Sequence, residues 1–276
     1  MNKVKIGIII DKFHLKYKVS EFLKYLKSRA NVNLYVEESY LLKNFNLEFD
    51  EDLFFLKGKG KLMINLAKMI ETETSIPVIN PSKAVWLTIN RFLNSLLLRK
   101  AGILVPDFSL NPSICKPPFE DYIIKNIIDQ KTYSFKGKIE KINGHLLVSD
   151  ERALKEVSDE ENYQYFYYQQ FIKSKWEYKV YAFGDNLYYY KQTPVLINPN
   201  KMETRQEINE IPELKEIARK AMKVINLKVV SLDFLKPRDG QFYLTDINSL
   251  PNFNYIKNGH KIVADFLIQQ AKINKT

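Results

Sequence analysis

Cysteine is almost missing: Cys115 is the single thiol in 276 residues. One thiol excludes an internal disulfide framework and any cysteine-built metal centre, and so few thiols fit a reducing cytoplasm, the expected location. Beside Pro117 and Pro118, Cys115 reads as a small packing residue rather than a nucleophile. Histidine is nearly as scarce: His14, His145 and His260 are scattered without metal-ligand spacing. No run approaches the roughly 20 apolar residues that span a bilayer, so no membrane partner is expected. The apolar stretch Val4–Ile10 is too short for a secretory signal, no small-residue cleavage site follows it, and it reads as a buried first strand. A Gly-Lys-Ser/Thr phosphate loop is also absent, which excludes the P-loop route to phosphate binding.

Aromatic residues are what the chain has in quantity. With 17 Tyr, 17 Phe and 45% apolar residues it can bury a substantial core, and its length suits two or three compact lobes. The net charge is +10, from 42 basic and 32 acidic residues. Such an excess suits a polyanionic small-molecule partner; a compositional preference for Lys is the alternative reading. The basic residues are spread along the chain without an arginine-rich arm, so no nucleic-acid partner is expected, and neither is an oligomer.

Periodicity gives an α/β chain. Val4–Ile10, Val32–Val36 and Leu53–Leu56 read as strands, with an amphipathic helix carrying Val19, Phe22, Leu23 and Leu26 between the first two. After a short strand at Ile76–Ile79, Pro81-Ser82 opens a helix that runs to about Lys100 and stops at Ala101-Gly102. Tyr122–Lys125 is a strand. Asn143-Gly144 marks a hairpin between 138–142 and 145–148, and a helix with Ala153, Leu154 and Val157 starts at Ser149-Asp150. Strands follow at Tyr165–Ile172, Glu177–Phe183 and Leu187–Lys191. Residues 198–210 are polar and read as a loop. A helix at Ile211–Leu227, strands at Val229–Leu235 and Gln241–Asp246, and a last helix over about His260–Ala271 complete the chain. The expected organisation is an open α/β lobe over 1–80, a central helix and first clamping lobe over 81–168, and a second clamping lobe over 169–276.

The last two strands carry the chemistry. Asp246 and Asn248 are two apart and share a strand face, and pairing through the turn at 238–240 brings Asp233 beside Asp246. Two carboxylates and an amide suit a hard cation such as Mg2+, which takes its remaining oxygens from phosphate and water. Lys125 ends one strand and Lys179 sits inside another, each able to aim an ammonium at a phosphate. Taken singly, Asp233 and Asp246 could simply end strands at the surface, and each Lys could extend to solvent.

Together, the Lys-ended strand at Lys125, the strand Tyr-Tyr-Gln-Gln-Phe-Ile (167–172) and the Asp…Asp-x-Asn hairpin resemble the ATP-grasp superfamily. That resemblance implies two α+β lobes gripping ATP. It puts adenine against Gln169, Gln170, Phe171 and Ile172, phosphate against Lys125 and Lys191, Mg2+ on Asp233, Asp246 and Asn248, and catalysis on Lys179 and Asp233. Within the superfamily, Gln169–Asp185 and Asp246-Ile-Asn-Ser-Leu-Pro-Asn-Phe resemble inositol polyphosphate kinases of the inositol-tetrakisphosphate 1-kinase type. So do Val78-Ile-Asn-Pro, the Ile89-Asn-Arg91 stretch and Lys57. In a kinase of this kind Lys12, Lys16, Lys57, Lys59 and Lys179 would hold the acceptor's phosphates, and Gln130 and Asn252 sit where acceptor recognition would occur. The chain departs from the pattern at Gln130, Gln192 and Asn252, where that family carries His, Arg and Gly.

Three functions follow. The first is a Mg-ATP kinase acting on a hydroxyl of an inositol phosphate or similar polyol. The second is a RimK-like carboxylate–amine ligase, which the stretch starting Gln169-Gln-Phe-Ile-Lys also resembles. The third is a non-catalytic nucleotide or polyanion binder. The Asp at 246, where ligases of the superfamily more often carry Glu, leans toward the kinase.

Overall fold

The computed structural model describes residues 3–39, 48–112, 115–128, 141–142, 145–147, 165–238 and 240–275, with the backbone alone for 141–142 and 145–147. Three sheets organise them.

The first sheet is parallel. Its strands are β1 (Lys5–Ile10), β2 (Asn31–Val36), β3 (Leu53–Lys57) and β4 (Val78–Ile79), in the order β2-β1-β3-β4. Strands buried on both faces read as nearly continuous apolar runs, which explains Ile-Ile-Ile and Leu-Phe-Phe-Leu. On one face Ile6, Ile8 and Ile10 meet Phe22 and Leu26 of α2 (Ser20–Arg29) and Val263 and Leu267 of the last helix. On the other, Ile9, Phe54 and Leu56 meet Met63, Leu66 and Ile70 of α3 (Lys61–Glu73). Gly7 makes room for this: a Cβ there would lie 2.3 Å from the Phe54 ring.

Two departures from the sequence reading lie here. A short helix, α1 (Lys12–Tyr17), follows β1 ahead of the expected amphipathic helix, because Asp11 caps it by accepting from the His14 amide at 2.8 Å. Helix α3 was not foreseen; its apolar positions 63, 66, 67 and 70 have helical spacing but sit behind the Lys-Gly-Lys-Gly-Lys run that reads as a loop.

The helix expected over 81–100 is two helices, α4 (Ser82–Ile89) and α5 (Arg91–Lys100). Asn90 breaks them: it leaves helical geometry at ψ 95° and its side chain accepts from the Leu93 amide at 3.1 Å.

The second sheet is antiparallel: β5 (Phe108–Pro112), β6 (Tyr122–Lys125), β7 (Lys141–Ile142), β8 (His145–Leu147) and β9 (Tyr165–Gln170), ordered β5-β9-β6-β8-β7. The paired backbones of β7 and β8 agree with the expected hairpin; its turn at Asn143-Gly144 and the helix expected from Ser149 lie outside the described residues.

The third sheet is also antiparallel: β10 (Glu177–Phe183), β11 (Asn186–Gln192), β12 (Gln206–Ile208), β13 (Val229–Leu235) and β14 (Tyr243–Asn248), ordered β12-β11-β10-β13-β14. Strand β12 lies inside the segment read as a loop and pairs with the edge of β11. Helix α6 (Pro212–Ile225) packs Leu214, Ala218, Ala221 and Ile225 on one face of this sheet, against Val230, Leu232 and Phe234. It ends at Asn226, left-handed at φ 65°. Helix α7 (Gly259–Asn274) returns to the first sheet.

One side chain joins the sheets. Asn80, fully buried after β4, accepts from the Lys228 and Val229 amides at 2.8 and 3.0 Å and donates to the Val229 and Ser249 carbonyls at 2.6 and 3.0 Å. Every bond its amide can offer two backbones is made. Asn80→Ala would strand two buried amides, so we expect a loss of about 2–4 kcal/mol in stability, read from urea denaturation.

Candidate active site between the second and third sheets

Register builds the centre. In the β13–β14 pair, Asp233 stands opposite Asp246 and Ser231 opposite Asn248; in the β10–β13 pair, Lys179 stands opposite Asp233. Alternation then puts Glu177, Lys179, Asp233, Asp246 and Asn248 on the face away from α6. The Lys179 ammonium grips both oxygens of Asp233, at 2.5 and 2.7 Å. Burial works against its charge, but Asp233, Tyr181 and Glu177 outweigh burial and its pKa goes up. Glu177, buried and facing Asp233, is pushed up as well, first by burial and then by that neighbouring charge.

A bulge makes the link to the second sheet. Pairing shifts between Asp233 and Phe234, which pairs with Leu244, so Thr245 falls out of the ladder. Its hydroxyl donates to the Asp233 carbonyl at 3.0 Å. Its own carbonyl accepts from Lys125 Nζ at 3.4 Å and Gln169 Nε2 at 3.2 Å, both buried and both from the second sheet. Arg91, Asn94, Ser95 and Tyr167 close a cavity of about 20 Å3 behind this junction, room for about one water.

The expected adenine segment follows β9. The Gln170 and Phe171 amides are taken by the Asp107 and Asp121 carbonyls at 2.7 and 2.8 Å, and Ile172 is buried. Lys191, opposite Tyr178 on β11, is on the α6 face of the sheet, with its ammonium 5.1 Å from the Trp176 ring centre. The structure therefore does not bring Lys191 together with Lys179 and Asp233.

The first sheet supplies a second wall. The segment after Asn248 crosses the carboxyl ends of β1 and β3, and Lys57 donates to the Pro251 carbonyl at 2.9 Å beneath it. Lys57 is buried, so it braces this segment and does not face solvent. Burial, then the neighbouring Lys59, lowers its pKa to about 7. Lys12 and Lys16 are exposed on α1, and Lys59 is half-buried in the turn before α3. Asn252 spends its side-chain oxygen on the Asn254 amide at 3.2 Å. Gln130 lies outside the described residues.

Arg205 is the residue that sequence reasoning missed, because it lies in the segment read as a loop. Its Nη1 donates to Gln192 Oε1 at 2.9 Å, and Gln192 in turn donates to Glu177 at 2.5 Å. The guanidinium stacks 4.2 Å from the Tyr190 ring centre, and its Nε and Nη2 are buried without hydrogen-bonding geometry to any partner. Orphaned guanidinium donors beside a Lys–Asp pair suit an anion.

Among the described residues no group of three His, Cys, Asp or Glu side chains is placed to hold a metal ion. The candidate cation donors are two carboxylates and one amide. Asn248 Oδ1 already accepts from the Leu250 amide at 3.0 Å, which fixes its orientation. Oxygen-only donors in small number fit Mg2+.

Comparison with solved structures decides the architecture. A RimK domain ATP-grasp protein from Sphaerobacter thermophilus superposes with a TM-score of 0.72 at 14% identity, covering 96% of this chain and 99% of its own. The D-alanine–D-alanine ligase of Bacillus anthracis, complexed with ATP, gives 0.69 at 15% identity over 99% of both. The ATP-grasp ligase PsnB, complexed with a minimal precursor, Mg and ADP, gives 0.69 at 14% identity over 98% and 99%. The chain has the ATP-grasp fold. A scan against protein-family models finds no match, and a search of curated proteins finds none. Among the described residues no helix of this fold is long and apolar enough to cross a membrane.

Lys57 gives a prediction. Because its folded pKa is lowered from 10.5 to about 7, the unfolded chain binds more protons between those values. The stability it contributes is therefore full above the window and falls as pH drops through it. Lys57→Met should make the rise in urea midpoint between about pH 7 and about pH 9 shallower than in the wild type.

Proposed function

We propose that the protein is an ATP-dependent carboxylate–amine ligase. The observation that carries this is the full-length ATP-grasp fold, superposable on two ligases, with Lys125 and Gln169 opposite the Lys179–Asp233–Asp246 cluster. Both of those structures are of ligases. In this reading the inositol phosphate acceptor first suggested by resemblance gives way to a carboxylate.

A carboxylate oxygen attacks the γ-phosphorus of ATP, the bond to the bridging oxygen breaks, and ADP leaves with that electron pair. Lys125, Lys179 and Arg205 neutralise the phosphate oxygens; the buried, orphaned donors of Arg205 add directionality to that charge. Asp233, Asp246 and Asn248 would hold Mg2+, which would supply charge neutralisation at the phosphates. Gln169, Gln170, Phe171 and Ile172 form the adenine side. The acyl phosphate is then attacked by an amine and releases phosphate.

A kinase is the second reading, favoured by Asp246 and the net charge of +10. The two differ in product: an amide and free phosphate, or a phosphate ester.

The test is incubation with Mg-ATP, hydroxylamine and a panel of amino acids, short peptides and inositol phosphates. The ligase reading expects ADP release together with a hydroxamate from at least one carboxylate. ADP release with phosphate ester and no hydroxamate would reject it. Asp233→Asn should lower turnover about 100-fold or more, read as ADP release.

A further inference from the structure

We propose that the open cavity between the β10–β11 turn and the C-terminal half of α6 binds an amino acid or short peptide with a free amine and a free carboxylate. This site lies apart from the catalytic cluster and does not depend on the reaction performed there.

The cavity measures about 500 Å3, and Asp185, Leu187, Arg219, Met222, Lys223 and Asn226 are among the residues that line it. One water takes about 30 Å3 of liquid volume, and pockets for whole small molecules run from about 300 to 1,000 Å3. The space therefore suits an organic ligand and not a lone ion. Two left-handed residues shape its walls: Gly184, at φ 59°, turns β10 into β11, and Asn226, at φ 65°, ends α6. The Gly184 amide donates to the Lys228 carbonyl at 2.8 Å and ties the turn to the chain just past the helix.

Charge divides the lining. Arg219 and Lys223 are one helical turn apart, so their side chains are neighbours on α6. Asp185 comes from the turn, and no ion pair joins it to either cation. Among the described residues, the side chains of Asp185, Arg219, Lys223 and Asn226 make no hydrogen bond. Arg219 shares the surroundings of Tyr189 with Glu210, but Lys215 holds that carboxylate at 2.8 Å. Unpaired charges on a helix are ordinarily just solvated. Here both signs border one cavity, and Leu187 and Met222, partly buried against the core beneath α6, give it an apolar floor.

A zwitterion answers this pattern. Its carboxylate sets two oxygens against Arg219 and Lys223, and its ammonium meets Asp185. The Asn226 amide can donate to or accept from a peptide group between them, over the apolar floor. The catalytic cluster is elsewhere: Lys179 and Gly184 are about 17 Å apart along the strand, and Lys179 faces away from α6.

The test is an NMR titration of the full chain with leucine, glycyl-leucine and leucyl-glycine, with the N-acetyl and C-amide forms of each, and with inorganic phosphate. At least one of the free zwitterions should bind saturably, and blocking either of its ends should weaken binding about 10-fold or more. Asp185, Arg219 and Lys223 are exposed, so their replacement leaves the core intact. Asp185→Asn should remove the preference for the free amine. Arg219→Ala combined with Lys223→Ala should remove the preference for the free carboxylate, and Asp233→Asn should keep both preferences. No saturable binding of any free zwitterion would overturn the proposal, as would equal affinity for the blocked forms or for phosphate. Binding that is lost in Asp233→Asn and unchanged in the cavity variants would also overturn it.

Discussion

The structure depends on the buried carboxamide of Asn80. It leaves the first sheet at the end of β4 and bonds to the backbone of both strands at one end of the β13–β14 pair, at Val229 and at Ser249. Those strands carry Asp233, Asp246 and Asn248, so the position of these candidate cation donors relative to the first sheet is set by four short hydrogen bonds. A side chain with that many satisfied bonds in an apolar setting has few alternatives of similar energy. The nearby Thr88–Ser249 hydroxyl pair, 2.8 Å apart, adds a second tie between the central helices and the end of β14.

The third sheet is divided by period-2 alternation into two unlike faces. Val180, Ala182, Val230, Leu232 and Phe234 turn to α6 and make an apolar core. Glu177, Lys179, Asp233 and Asp246 turn the other way into a crowded, low-dielectric polar layer. Charges so placed are tolerated only when paired and hydrogen-bonded. The Lys179–Asp233 pair meets that condition, and the chain Arg205–Gln192–Glu177 meets it in part, since Arg205 Nε and Nη2 have no hydrogen-bond partner.

The sequence reveals the carboxylate hairpin because strand alternation and a short turn suffice to bring Asp233 and Asp246 together. It reveals Tyr122–Lys125, Glu177–Phe183 and Val229–Leu235 to the residue, because each is an apolar run bounded by turn residues. It conceals Arg205, since a three-residue edge strand in a polar segment leaves no periodic signal. It also misplaces Lys57 and Lys191. Whether a strand-end Lys faces solvent or a carbonyl three residues past another strand depends on how sheets stack, which no local pattern encodes.

The bulge at Thr245 has a consequence for how tightly any anion can bind. Its carbonyl engages Lys125 and Gln169, and the Asp233 carboxylate engages Lys179. These oxygens are internal mimics of phosphate: the protein answers its own cations before a ligand does. Capture of an anion by either Lys is therefore an exchange of oxygen partners and not the creation of new bonds. Each exchanged contact involves a charged ammonium and returns about 1.5–3 kcal/mol to the competing state. Such a site grips an anion by difference, which favours exchange over indefinite retention.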